Sequence, residues 1–170
     1  MTNIEETIRQ LTGNAEAMRA LVQTISEEQA HWKPSPETWS LEEVMGHIYN
    51  EERIDFRSHL KEMLNEPPKP WGEFREELVL AANCRQALEG FMVEREASIA
   101  WLKALESPGW DTKSQAPFGP LSLSITLSAG DVLASWVAHD FLHIRQMIEL
   151  LYAWNAKQAS PCSVDYAGGW

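Results

Sequence analysis

The stretch WVAHDFLHIRQMIELLY, residues 136–152, decides how this chain is read. Val132, Trp136, His139, His143, Gln146 or Met147, Leu150 and Trp154 recur at spacings of three and four, the period of one face of an α-helix. His139 and His143 therefore stand within an apolar stripe that must face a core. Imidazoles four residues apart project from successive turns with converging ring nitrogens, so a divalent ion at about 2.1 Å from each can be held without bending the backbone. Alone, such a pair is weak evidence, because a histidine on an apolar face is more often a hydrogen-bonded core residue than a ligand.

Working outward, the helical period recurs in three more stretches. Ile4, Ile8, Leu11, Ala15, Met18, Leu21 or Val22 and Ile25 predict a first helix over about residues 3–25. The prolines of the connector SEEQAHWKPSPETW (26–39) break that pattern. Ser40 and Glu43 then form a capping box, in which each side chain satisfies an otherwise unpaired backbone N–H. A second helix should run from Ser40 to about Asn65, before EPPKPWG (66–72), with Leu41, Val44, Met45, Ile48, Ile54 and Leu60 along its stripe.

A third helix is expected over about residues 83–105, followed by the long loop SPGWDTKSQAPFGP (107–120). The fourth begins near Ser128, with Asp131 completing a second capping box, and continues to about Lys157. LSLSITL (121–127) alternates briefly, as an isolated extended segment or a helical turn would, and no convincing strand pattern is present. The tail QASPCSVDYAGGW (158–170) is expected to pack only through Tyr166 or Trp170. Four long helices without a splitting linker predict one all-α domain over residues 1–170, a four-helix bundle.

Composition narrows the partners. At 170 residues the chain can bury a core without disulfides or structural metals, so a metal is optional for folding. Its formal net charge is −11, and beyond Lys113 the only Lys or Arg residues are Arg145 and Lys157. Such a surface repels phosphate backbones and anionic headgroups, which disfavours nucleic-acid and membrane partners. No apolar run approaches the roughly 20 residues of a membrane span, and MTNIEETIRQ lacks the basic and apolar regions of a signal peptide, so a cytoplasmic location is expected. Cys84 and Cys162 are far apart and form no CxxC pair, leaving no disulfide framework or thiolate metal site in evidence.

His47 adds weight to the pair on the fourth helix, since it occupies the apolar face of a different long helix. Three histidines from two facing helices suit a three-ligand site with open positions, as catalytic zinc sites have. His31, in the proline-rich connector, and His59, within DFRSHLKE (55–62), read as solvated surface residues. Glu51, one turn beyond His47, offers a general base, a fourth ligand or an acceptor for an imidazole N–H, although the acidic run NEERID (50–55) makes a solvent-facing side chain the simpler expectation. Asp140 points about 100° away from His139 around the helix, so it is expected to pair with a basic residue on a neighbouring helix. Arg145 suits an internal ion pair or a substrate anchor, and Gln146 a donor to substrate or a filler of a polar gap.

WSLEEVMGH (39–47), FGPLSL (118–123) and HDFLHIRQ (139–146) resemble, in order and spacing, the motifs of the DinB/YfiT-like metalloenzymes. The resemblance implies an up-down-down-up four-helix bundle, usually a homodimer, with a divalent metal bound by one histidine of the second helix and two of the fourth. By matching motif these are His47, His139 and His143. Gly46 would let a neighbouring helix approach closely. Relatives include transferases and isomerases that use low-molecular-weight thiols such as bacillithiol, mycothiol or glutathione, and metal-dependent hydrolases.

The expected function is a divalent-metal-dependent enzyme acting on a small-molecule substrate, with thiol-dependent S-transfer ranked first. Metal-dependent hydrolysis, for which Glu51 is the same-face catalytic candidate, and non-catalytic metal or ligand binding are the alternatives. Zinc and nickel are the first choices of ion, with iron, cobalt, manganese and copper also compatible. A cavity at the open metal positions, rather than a plug such as Trp136, would favour catalysis.

Overall fold

Each long helix starts where a side chain can occupy its first free N–H groups. In the computed structural model, which describes residues 3–65, 67–68, 83–118 and 123–168, Asn3 caps α1 (Ile4–Val22) and Asn83 caps α5 (Cys84–Lys103). Both expected capping boxes form, Ser40 with Glu43 ahead of α3 (Leu41–Asn50) and Ser128 with Asp131 ahead of α6 (Ala129–Ala159). A short α2 (Glu27–His31), capped by Ser26, lies in the connector.

The second long helix is not continuous. A π-helical turn, Glu51–Asp55, separates α3 from α4 (Phe56–Met63). A π turn takes up more residues than an α turn, so the buried face shifts in phase. Glu52 thereby turns inward and is 1% exposed, whereas Ile54, expected on the stripe, is only half-buried.

The second departure from expectation lies in the loop before α6. Strands β1 (Lys113–Phe118) and β2 (Leu123–Ser128) pair antiparallel in a hairpin, from Lys113 opposite Ser128 to Phe118 opposite Leu123. Sequence alternation failed to show it because KSQAPF has almost no apolar period, and a ladder's backbone bonds need none. Carbonyls just before β1 tie the hairpin to the helix, Thr112 accepting from Ala129 N–H and Trp110 from Gly130 N–H, each at 2.9 Å. The tail does not pack through Tyr166, which is fully exposed; Trp170 and positions 119–122 of the FGPLSL motif lie outside the described residues.

Two apolar layers fix the directions of the helices. At one end Val22 of α1, Leu41 of α3, Leu88 of α5 and Leu150 of α6 share a cluster, and at the other Leu11 of α1, Met63 of α4, Leu102 of α5 and Val132 of α6 do. So α1 and α6 run one way, and α3–α4 and α5 the other, which is the up-down-down-up order. Both α1 and α3 pack against α5 and α6.

Between the two layers sits a charged centre. Arg95 of α5, 2% exposed, forms a bidentate pair with Asp140 of α6 at 2.7 and 2.8 Å and meets Glu52 of the π turn at 2.9 Å. It also donates to the Leu11 carbonyl of α1 at 2.9 Å. Trp136 donates its indole N–H to Glu52 at 2.9 Å, and Asn14 donates to Asp140 at 3.3 Å. Burial works against the guanidinium charge, but Asp140 and Glu52 hold its pKa above the ordinary arginine value. The expected basic partner of Asp140 on another helix is therefore Arg95.

Removing only the cation would strand two buried carboxylates. Arg95→Met should lower unfolding stability by about 3–5 kcal/mol in urea titration. Glu52→Gln/Arg95→Met/Asp140→Asn, which removes all three charges together, should lose distinctly less.

Candidate metal centre

The antiparallel packing of α3 against α6 brings His47 opposite His139 and His143. His47 Nε2 lies 3.3 Å from His139 Nε2, which lies 3.2 Å from His143 Nε2. Nitrogens each about 2.1 Å from a common ion and subtending about 90–109° are separated by about 3.0–3.4 Å, so the donor set fits a divalent metal. Among the described residues this is the one group of three or more His, Cys, Asp or Glu ligand atoms gathered within 4.8 Å.

The free edges of the rings decide whether the lone pairs are available. His143 Nδ1 is 2.8 Å from Gln146 Oε1, an acceptor, so the proton sits on Nδ1 and the Nε2 lone pair is free. Gln146 thus fixes the orientation of the His143 ring. Burial pushes His47 down to about 4 and His139 down to about 3, and the charge a neighbouring imidazole would carry adds to both shifts. Burial likewise lowers His143. All three imidazoles are neutral at pH 7, the form that binds a metal.

Glu51 lies outside the gathered ligand atoms. Its Oε1 is 3.8 Å from His47 Nδ1, the ring edge turned away from the cluster, and its side chain is 13% exposed. Burial, and then the hydrogen bond to Asp55, raise its pKa to about 8, so it is a protonated donor rather than a free carboxylate at pH 7. Burial alone would raise Asp55 as well, but hydrogen bonds from His59 and Glu51 hold it below the usual range. The simpler expectation of a solvent-facing Glu51 is overturned: it stands one turn beyond His47 on the same face and is hydrogen-bonded to Asp55, which the phase shift of the π turn brings inward.

His59 is corrected for the same reason. It is 6% exposed and donates to Asp55, rather than standing in solvent. His31 is exposed, as expected, 3.3 Å from Glu42. Among the described residues Arg145 makes no internal pair; it is exposed, 3.4 Å from Glu149 one turn on. Gly46 admits no close helix, since a Cβ there would meet nothing within 4 Å, whereas one at Gly90 would lie 2.6 Å from the Tyr49 ring.

The residue that sequence reasoning missed is Trp39. Its ring stands edge-to-face on His47 at 5.1 Å and nearly parallel to His143 at 6.4 Å between centres. Beside it, a groove of about 550 Å³ opens between the connector and α6, with His143 and Gln146 in its wall. Trp136 does not line this groove, being tied to Glu52 in the core. The signal for Trp39 was its place directly before the capping Ser40, which fixes where the indole can point.

The sequence model of the DinB superfamily matches residues 10–147. No curated protein matches the chain. Among solved structures, the chain is similar to YfiT from Bacillus subtilis, described as a probable metal-dependent hydrolase with an unusual four-helix bundle topology. The TM-score is 0.67 at 14% identity, over 89% of this chain and 87% of that one.

One ion per chain is expected after reconstitution, lost in both His47→Ala and His143→Ala by elemental analysis. Gln146→Ala should weaken binding about tenfold or more by freeing the His143 ring. Because protons compete for His47 only as pH falls toward about 4 and for His139 only toward about 3, and burial lowers His143 as well, affinity should change less than about tenfold between pH 7.5 and 5.5. Three ordinary imidazoles would lose about a thousandfold over that interval, and competition titration separates the two outcomes.

Proposed function

The chain belongs to the DinB superfamily, and from that premise we propose that it is a divalent-metal-dependent enzyme transferring a low-molecular-weight thiol to a small electrophilic substrate. The observation that carries this reading is the convergence of three neutral Nε2 atoms on one point beside an open groove. A divalent ion held there, zinc or nickel first and iron, cobalt or manganese next, lowers the pKa of a bound thiol or water and so supplies a nucleophile at neutral pH.

The residues around the histidines favour thiol over water. Glu51 stands behind His47 and is hydrogen-bonded to Asp55, away from the side where a substrate would meet the cluster. Hydrolysis benefits from an acid or base beside the leaving group, whereas a thiol needs only to lose its proton. His47 packs against the Trp39 ring, and His143 is held by Gln146. Metal-dependent hydrolysis is the second reading, favoured by the description of YfiT.

A homodimer, as the family resemblance implies, would have an apolar face available in Phe141 and Leu142 of α6, 51% and 56% exposed. No helix among the described residues is long and apolar enough to cross a membrane, and a cytoplasmic setting remains part of the proposal.

The test is turnover by zinc- and nickel-loaded protein with a panel of thiols and electrophiles, alongside ester and amide substrates without thiol. Thiol-dependent product that falls at least about 100-fold in His143→Ala supports the reading. Turnover without thiol transfers it to hydrolysis, and no turnover by fully loaded protein overturns both.

A further inference from the structure

An electrophile must approach the three histidines along a surface, and the groove beside His143 has a defined chemistry. Its apolar wall is built from Pro34 and Trp39 of the connector and from Leu150 and Ala153 of α6. Its charged lining groups are Glu37 and Glu149. Neither lysine nor arginine lines it.

Trp39 is 41% exposed, one of few large apolar side chains left open among the described residues. The indole already packs against the rings of His47 and His143, so little side-chain freedom remains to be lost when a ligand stacks on it. A rigid aromatic surface in a concave site, with few polar groups around it, is the usual lining of a small-molecule pocket. The charge points the same way. A hydrogen bond with Ser35 holds Glu37 below the ordinary carboxylate range, so it is ionised at pH 7. An anion entering the groove finds no lysine or arginine among the described residues of its walls, one of which, Glu149, engages Arg145 at 3.4 Å, and a chain of net charge −11 repels it.

We propose that this groove binds an uncharged aromatic electrophile against the face of Trp39, making Trp39 the residue that sets substrate class, and that Glu37 and Glu149 exclude anionic substrates. The inference rests on the metal-dependent transfer reading. In that transfer the thiol sulfur bonds to the electrophilic carbon and the bond to the leaving group breaks. The leaving group departs with its electron pair, and the thiol proton passes to solvent.

Binding without turnover tests the groove separately from the chemistry. Nitrobenzene and nitrobenzenesulfonate share a ring, differ by one negative charge and carry no leaving group suited to the reaction. Calorimetric titration of zinc-loaded and zinc-free protein should show nitrobenzene binding to both, with the sulfonate about tenfold weaker. Trp39→Leu should weaken nitrobenzene about tenfold, Trp39→Phe should retain most of the affinity, and Glu37→Gln/Glu149→Gln should narrow the gap between the probes. Thermal melts of each variant establish that it is folded. No nitrobenzene binding, equal or tighter binding of the sulfonate, or wild-type affinity in Trp39→Leu would each overturn the proposal. If the protein binds as expected but turns nothing over, the groove stands and the transfer reading fails.

Discussion

The guanidinium of Arg95 is the point on which the bundle turns. It reaches α1 through the Leu11 carbonyl, the π turn through Glu52 and α6 through Asp140, while itself belonging to α5. One side chain therefore ties together all four long helical segments, and the two apolar layers close on either side of it. Buried ion pairs are costly to assemble, and their value here lies in specificity: a register that misplaced either carboxylate would leave it unpaired in the core.

The same bonds set the candidate metal centre. Asp140 and His139 are adjacent on α6, so clamping the carboxylate in the core presents the imidazole on the neighbouring face. Glu52 and Glu51 repeat this arrangement on the π turn, one bonded to Arg95 and the other behind His47. Core electrostatics and ligand placement are thus two sides of the same pair of backbone segments. Burial then keeps the imidazoles neutral, and the proton that Glu51 keeps at neutral pH avoids a second negative charge beside Asp55.

Much of this was legible in the residues. Apolar periods and capping boxes located the long helices to within a few residues, because both depend on neighbours three and four positions apart. Asp140 was rightly turned away from the histidine face on the 100° rotation per residue alone. The failures share a cause. His59 read as solvated from its polar neighbours, yet the π turn shifts the phase of α4 and turns His59 inward, one helical turn beyond Asp55. Arg145 read as suited to an internal ion pair or a substrate anchor in a basic-poor region, when Glu149 lay one helical turn away at the surface. The hairpin was missed because its first strand is held by backbone bonds to a second strand rather than by a pattern of its own.

By itself, the sequence determined the helices, their caps and, outside the π turn and α4, which faces they bury, since those follow from local stereochemistry and the exclusion of apolar side chains from water. It also named the three histidines, through their places on apolar stripes and their match to family motifs. Only the tertiary structure decided that their Nε2 atoms meet, that Glu51 stands behind the cluster rather than in it, and that Trp39 walls a groove beside them. Those facts depend on how separate helices are rotated and shifted against one another, and that is fixed by contacts between residues far apart in the chain, such as Arg95 with Asp140.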